Sequence, residues 1–371
     1  MSNAGAAEQT SEPTWTIEQL RDHLQAAVDL EFWTIPFYMS AMYSIKDAGT
    51  AAYQAILSVV NQEMLHVQLA ANLANAYGLS PRFAQPVYYG QHIPHLDFDL
   101  DHPDPRATFS PYSAEIGPYD QERLNAFCLI EYPMWIGTET PRGNPDVATY
   151  GSIGEFYSAV AVGAAQLKEH IRPVNQVNHF ARFYSHFEGM TITSAGAAGF
   201  PQVANIVQAI CDQGEGRSDQ GVSWTQHSVP KEYQNTADDT DPNWSHFQKF
   251  MTLWNADTFP ATYEAVTNPT AGSAGHKAQL ILEANFDAFL DGLDAMFSGG
   301  DPKAFMTQMF ALGGNILNCW KNGAVPKFGL PIGAGVGLAA AAGRRQYPAQ
   351  DRLSRGLPPV RTAPRKAVVS A

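Results

Sequence analysis

The sequence predicts an all-α fold: a helical bundle with a long ordered crossover and a C-terminal helical extension. Three observations predict it. Apolar residues recur at steps of three and four through most of the chain, capping and stopping signals bracket those stretches, and no segment shows a clear alternation of period two. With 371 residues, 45% of them hydrophobic, the chain can bury a sizeable core.

The first helix is capped by Thr16, with Gln19 completing a capping-box pattern, and carries its stripe at Leu20, Leu24, Ala27, Ile35, Tyr38 and Met42 to about Ile45. Pro36 lies inside it and is expected to kink it one turn after Glu31. The second helix spans about 50–77 and stops at Gly78, with Pro81 beyond. The short link "KDAGT" makes the two an antiparallel hairpin. Residues 80–151, rich in Pro, Tyr and Asp, read as an ordered crossover with one helix near 120–130. A helix over 153–168 follows, then "NHFARFYSHFEGMTITSAGAAGF", where a short hairpin is expected. Val203, Ile206, Val207 and Ile210 mark a helix over 202–212, and Pro242 is expected to open another through "NWSHFQKFMTLWNA". Two more close the ordered chain, "HKAQLILEANFDAFLDGLDAMF" and, opened by Asp301 and Pro302, "KAFMTQMFALGGNILNCW". "PIGAGVGLAAAAG" has neither a preceding strand nor a following acid, so it reads as a flexible linker and not a dinucleotide loop. The expected boundaries are a disordered N-terminus at 1–15, a metal-binding domain at 16–256, a helical extension at 257–340 and a basic disordered tail at 341–371.

Composition narrows the function. The net charge is -13, which argues against nucleic acid as the main partner. It is unevenly spread, because residues from Arg344 onward carry seven Lys or Arg against Asp351 alone. No apolar run of about 18 residues offers a membrane span, and the first residues lack the features of a signal peptide, so the expected location is the cytoplasm. The three cysteines, Cys128, Cys211 and Cys319, are far apart and suggest neither disulfides nor a thiolate site. Any metal would be held by His and carboxylates.

Those residue types appear where the helices should be driest. On the second helix the stripe runs Ile56, Val59, Val60, then Val67, Ala70, Leu73, Ala74 and Tyr77, and Glu63 and His66 fill its gap. Residues three apart are neighbours at roughly 5–6 Å, so both project into the hairpin's interior. Glu31 interrupts the first helix's stripe in the same way. A buried unpaired carboxylate would neutralise instead, so a bound cation is the simplest explanation of all three residues, and the alternative is a buried Glu–His ion pair or a His capped by a backbone carbonyl. Glu on one helix and Glu-x-x-His on the next is half of the site that carboxylate-bridged di-iron bundles build. Oxygen and imidazole donors suit iron or manganese.

The second half is less complete. Glu215 sits between two glycines past an apolar helix, which suits either a close approach or a helix-terminal turn. His246 lies among Phe247, Phe250 and Trp254, as a ligand or a core histidine. A second Glu-x-x-His would need an acid at 243, where the chain has Asn243. Glu155 fits a capping box with Ser152 as well as it fits a ligand. Glu131, at a helix end before Pro133, reads as a surface or supporting residue, and His92 and His95 as loop residues near a pocket mouth.

The segments "LEFWTIPFYMSAMYSI", "VVNQEMLHVQLAANLANAYG", "FCLIEYP", "GSIGEFYSAV", "DQGEG" and "SHFQKF" occur in one order over about 16–254. Through them the chain resembles the ferritin-like family associated with iminophenyl-pyruvate dimer synthase, of the violacein and rebeccamycin pathways. The resemblance implies a ferritin-like helical bundle whose metal ligands are Glu31, Glu63, His66, Glu215 and His246, with Glu155 as a further one. Asn243 departs from the family's acid, so one iron or two would fit, and manganese is an alternative. The implied activity is an iron-dependent oxidoreductase using oxygen on a small substrate derived from an aromatic amino acid. A close variant is the oxidative coupling of two imines supplied by a partner amino-acid oxidase. The alternative of another class is ferritin-type metal storage. The aromatic loops at Tyr88, Tyr89, Phe98 and Phe183 are expected to wall the substrate pocket, and a homo-oligomer fits either reading.

Overall fold

The computed structural model describes residues 14–100, 104–133, 146–147, 149–215, 228–237, 240–301 and 303–329. Among them the regular elements are helices: α1 (Ile17–Ser44), α2 (Ala51–Ala76), α3 (Gln121–Ile130), α4 (Ile153–Gln166), α5 (Phe200–Gly214), α6 (His246–Ala256), α7 (Ala274–Phe297) and α8 (Lys303–Lys321). The all-α expectation holds. The segment 330–371, with the Gly/Ala linker and basic tail, and residues 1–13 lie outside the described residues.

Local chemistry sets the helix ends. Thr16 and Gln19 form the reciprocal capping box of α1, and Thr50 caps α2, whose end is marked by Gly78 at φ 75°. α1 continues as one helix across Pro36. α6 starts at His246 and not at Pro242, because Ser245 and Gln248 make a capping box there. At the N-terminal boundary Trp15 is buried, its backbone N–H donates to Gln166 Oε1 at 3.0 Å, and its indole covers Gly163.

The α1–α2 hairpin is the centre of the bundle. α4, α5 and α6 pack around it, and α3 packs on α6. On the other side α7 and α8 pair and close over α1. Phe32 of α1 stacks on Phe286 and Phe289 of α7, and Trp320 of α8 donates to the Ser40 carbonyl at 2.9 Å. The expected hairpin after α4 does not form. Its backbone groups are taken by buried amides instead: Asn72 of α2 donates to Val177 O and Met190 O and accepts from Val177 N, and Gln68 accepts from His179 N. Segments satisfied in this way have no need to pair as strands.

Candidate metal centre

Four helices deliver side chains to one point. Glu31 comes from α1, Glu63 and His66 from α2, His246 from the first turn of α6, and Glu131 from the C-terminal cap of α3; none is more than 2% exposed. Glu63, His66 and His246 each offer a ligand atom within 4.8 Å of the others.

The cluster has two similar lobes that share Glu63. In one, His66 Nδ1 lies 3.4 Å from Glu31 Oε2 and 3.8 Å from Glu63 Oε1. In the other, His246 Nδ1 lies 2.8 Å from the same Glu63 oxygen and 3.4 Å from Glu131 Oε2. The two imidazoles stack, with centroids 5.1 Å apart. Each terminal carboxylate is held by a tyrosine on its outer oxygen: Tyr157 donates to Glu31 Oε1 at 2.5 Å, and Tyr38 to Glu131 Oε1 at 2.8 Å. The inner oxygens therefore face the histidines. Thr34 donates to Glu63 Oε2 at 2.8 Å.

His66 is oriented from behind. Gln213 of α5 donates its amide to the Tyr233 carbonyl, which leaves Gln213 Oε1 as the acceptor 2.9 Å from His66 Nε2. An acceptor there puts the imidazole proton on Nε2, so Nδ1 presents a lone pair to the cluster in the neutral ring.

Burial sets the electrostatics of the cluster. Burial, reinforced by the nearby Glu131 charge, pushes the Glu63 carboxyl well above its usual range. Burial also pushes Glu131 upward, but the adjoining His246 outweighs it and holds the carboxyl below its usual value. Burial lowers His66, and the carboxylates of Glu31 and Glu63 more than reverse that. Burial raises Tyr38 and Tyr157, reinforced chiefly by Glu131 at Tyr38 and by Glu31 at Tyr157, keeping both phenols as donors. Three carboxylates and two imidazoles thus share one buried cluster, and burial opposes holding Glu63 among them as an anion. Neither ring nitrogen of His246 makes a hydrogen bond within the described residues, although Nδ1 is 2.8 Å from Glu63: close, but out of line for an N–H bond. Converging carboxylate and imidazole lone pairs, a buried carboxyl that its surroundings push toward neutrality and an imidazole without a hydrogen bond among the described residues fit a cation held among these five side chains.

The cluster differs from the expected ligand set in three places. Glu131, expected as a surface or supporting residue, is buried in the cluster 3.4 Å from His246, in the place that the family's acid at 243 was expected to fill. Asn243 is exposed and precedes the helix, where the three-residue spacing to His246 no longer places both on one face. Glu155 is half-buried at the start of α4; its N–H donates to the capping Ser152 hydroxyl, and its carboxylate accepts from Gly151 N at 2.8 Å rather than from Ser152 N. Glu215 is seated at the N-terminus of α4, where Gly154 N donates to it and the helix dipole favours its charge. It flanks the cluster: the Cys211 thiol, raised by burial, feels both Glu215 and Glu31. No sequence signal marked Gln213, Thr34 or Tyr157, and Tyr38 was visible only as a stripe residue.

A cavity of about 350 Å³ lies beside α1, lined by Asp29, Phe32, Trp33, Tyr89, His92 and His95 among others. Phe32 and Trp33 are turned about 100° and 200° round the helix from Glu31, so this cavity is on the far side of α1 from the cluster. Tyr89, His92 and His95 line it. Tyr88 packs against Trp33 and Phe37, Phe98 against Tyr112, and Phe183 lies near Phe180 under Arg182.

The family model described as Ferritin-like matches residues 24–255, which takes in α1 to α6 and all five cluster residues. The crystal structure of a ferritin-like protein from Caulobacter vibrioides is similar at a TM-score of 0.74 and 46% identity, covering 85% of this chain and 100% of that one. No curated protein matches the chain.

Proposed function

The chain belongs to the ferritin-like family, and on that footing we propose that it is an iron-dependent oxidoreductase that uses oxygen on a small substrate derived from an aromatic amino acid. The observation that carries the reading is the two-lobed cluster, in which Glu63 is shared and each lobe adds one His and one Glu. Glu31, Glu63, His66, Glu131 and His246 would hold the metal, as one ion or two. Bound iron supplies one-electron redox chemistry and activation of dioxygen. The chain's own part is positional: Tyr157 and Tyr38 aim the inner oxygens, Gln213 sets the His66 tautomer, and full burial excludes water. Oxidative coupling of two imines, fed by an amino-acid oxidase, is the narrower form of this proposal and rests on the sequence resemblance.

The test is metal content after anaerobic loading with ferrous iron or manganese, for the protein and for Glu63→Ala and His246→Ala. Loss of metal in both variants is expected; unchanged content in both refutes the centre. Oxygen uptake by the loaded protein with aromatic 2-amino, 2-imino and 2-oxo acids then tests the chemistry. A shell of many subunits on sizing would favour storage and overturn the enzyme reading. Among the described residues no helix is long and apolar enough to cross a membrane.

A further inference from the structure

α7 buries one face and leaves the opposite one bare. Its inner face, from Ala278 through Phe286 to Phe297, packs into the core. At about 100° per residue, Lys277, Leu280, Ile281, Ala284, Ala288 and Asp291 fall on one stripe along the other side, and all six are exposed. Leu280 and Ile281 are each 49% exposed, where a surface helix ordinarily carries polar residues. α8 continues this surface. Gly292 sits beside Gln308 and Gly275 beside the Asn322 carbonyl, so the two helices run antiparallel and Phe310 comes level with the Ala288 end of the stripe. Phe310 is 69% exposed, and open space lies over Gly314. An exposed apolar patch of this kind marks an interaction surface.

The charges on the stripe identify what covers it. Lys277 and Asp291 stand seven residues on either side of Ala284, about two turns in each direction, and neither has an ion-pair partner among the described residues. Acids on the adjoining flank are engaged within the chain, Asp287 by Gln85 and Asp294 by Arg82. A two-fold interface must be self-complementary, because each contact occurs twice with the roles exchanged. Antiparallel pairing of α7 with its copy, centred on Ala284, meets that condition: Lys277 falls opposite the partner's Asp291, and Asp291 opposite the partner's Lys277. The same register sets Leu280 against the partner's Ala288, large on small, and brings the two Ala284 residues together, where short side chains allow the helix axes within roughly 8–10 Å.

We propose that the outer face of α7 and α8 is the interface of a homodimer, with α7 packed antiparallel on the α7 of a second copy about Ala284 and Phe310 of each chain extending the buried apolar area. Burial of the exposed aliphatic side chains drives the association, and the two Lys277–Asp291 pairs at its ends fix the register. The interface involves no residue of the metal cluster, so it stands independently of the metal reading.

Sedimentation velocity of the full chain over a concentration series tests this. The parent is expected to sediment as a dimer that dissociates on dilution. Ala284→Arg, which brings two guanidiniums together at the centre, should sediment as a monomer with the helical content of the parent by circular dichroism. Each lone reversal, Lys277→Glu or Asp291→Lys, sets like charges against each other twice, by symmetry, and should weaken dimerisation about ten-fold. The double variant, Lys277→Glu with Asp291→Lys, restores the attraction with the signs exchanged and should recover the parent's dissociation constant to within about three-fold. All of these positions are exposed, so the substitutions leave the packing of the chain intact. A parent that stays monomeric throughout the series, or an oligomer that Ala284→Arg leaves unchanged, overturns the interface. A double variant as weak as the lone reversals overturns the antiparallel pairing and assigns the face to an occupant that reads only its apolar surface, such as a lipid surface or the chain's own residues 330–371.

Discussion

His246 Nδ1 of α6 lies 2.8 Å from Glu63 Oε1 of α2, and that oxygen is also the one nearest His66 on its own helix. The contact makes Glu63 common to two lobes, each completed by a terminal carboxylate tied to a tyrosine. If the proposed centre holds two ions, a carboxylate shared between two His–Glu pairs is where they would meet.

Loaded anaerobically, the protein is expected to bind two ions per chain by metal analysis. Glu131→Ala should bind about one, because the His246 lobe loses its only terminal carboxylate. Asn243→Asp should bind no more than the parent, since residue 243 is exposed and outside the helix. A gain of metal in Asn243→Asp, or full occupancy in Glu131→Ala, would refute the assignment of Glu131.

Gln213 touches no cluster carboxylate, yet its acceptor fixes which nitrogen of His66 carries the proton. Loss of such a partner typically lowers metal affinity 10–100-fold. Chelator-competition titrations of Gln213→Leu should show a loss in that range, and Gln213→Glu, which keeps the acceptor, should recover most of it. Equal affinities for all three proteins would remove Gln213 from the site.

Gly154 opens α4 beneath the Glu215 carboxylate, and a Cβ there would overlap it. Gly→Ala in a helix ordinarily stabilises by about 0.5–1 kcal/mol. At this position overpacking of about 1–3 kcal/mol should reverse the sign, so Gly154→Ala should melt below the parent. A higher melting temperature would mean that Glu215 is not confined as described.

Two histidines outside the cluster predict an acid-side loss of stability. His23 is buried, with Nδ1 2.9 Å from the Gln19 carbonyl and Nε2 2.7 Å from the Tyr150 hydroxyl; burial lowers its pKa. Burial, with the neighbouring His23 and His92, pushes His95 down to about 4. Both are neutral in the fold and protonate more readily when unfolded, near 6.5. Their contribution is therefore complete above pH 6.5 and falls as pH drops through the folded values, for His95 down to about 4. Each group adds at most about 1.4 kcal/mol per pH unit to the slope. Denaturant titrations across that range should show the decline, and His95→Gln should flatten it; identical slopes would contradict the assignment.

Much of this was legible in the sequence because it is local. Period, caps and stops located the helices, and Glu63 and His66 betrayed themselves by occupying an apolar stripe. Glu131 was not legible, because a carboxylate at a helix terminus before Pro133 looks the same whether it turns outward or inward. Gln213 was invisible for a related reason: an amide on a buried face signals nothing until its neighbours are known.

By itself the sequence determined the helical class, the α1–α2 hairpin and one half of the centre, Glu31 with Glu63 and His66, since helical spacing alone places the last two on one face. Only the tertiary structure decided the other half. Which acid joins His246 depends on α3 running its C-terminal end onto the first turn of α6. That docking brings Glu131 within 3.4 Å of His246 and leaves Asn243 in solvent. Contacts between helices distant in the chain carry no periodic signature, so packing, and not spacing, completed the site.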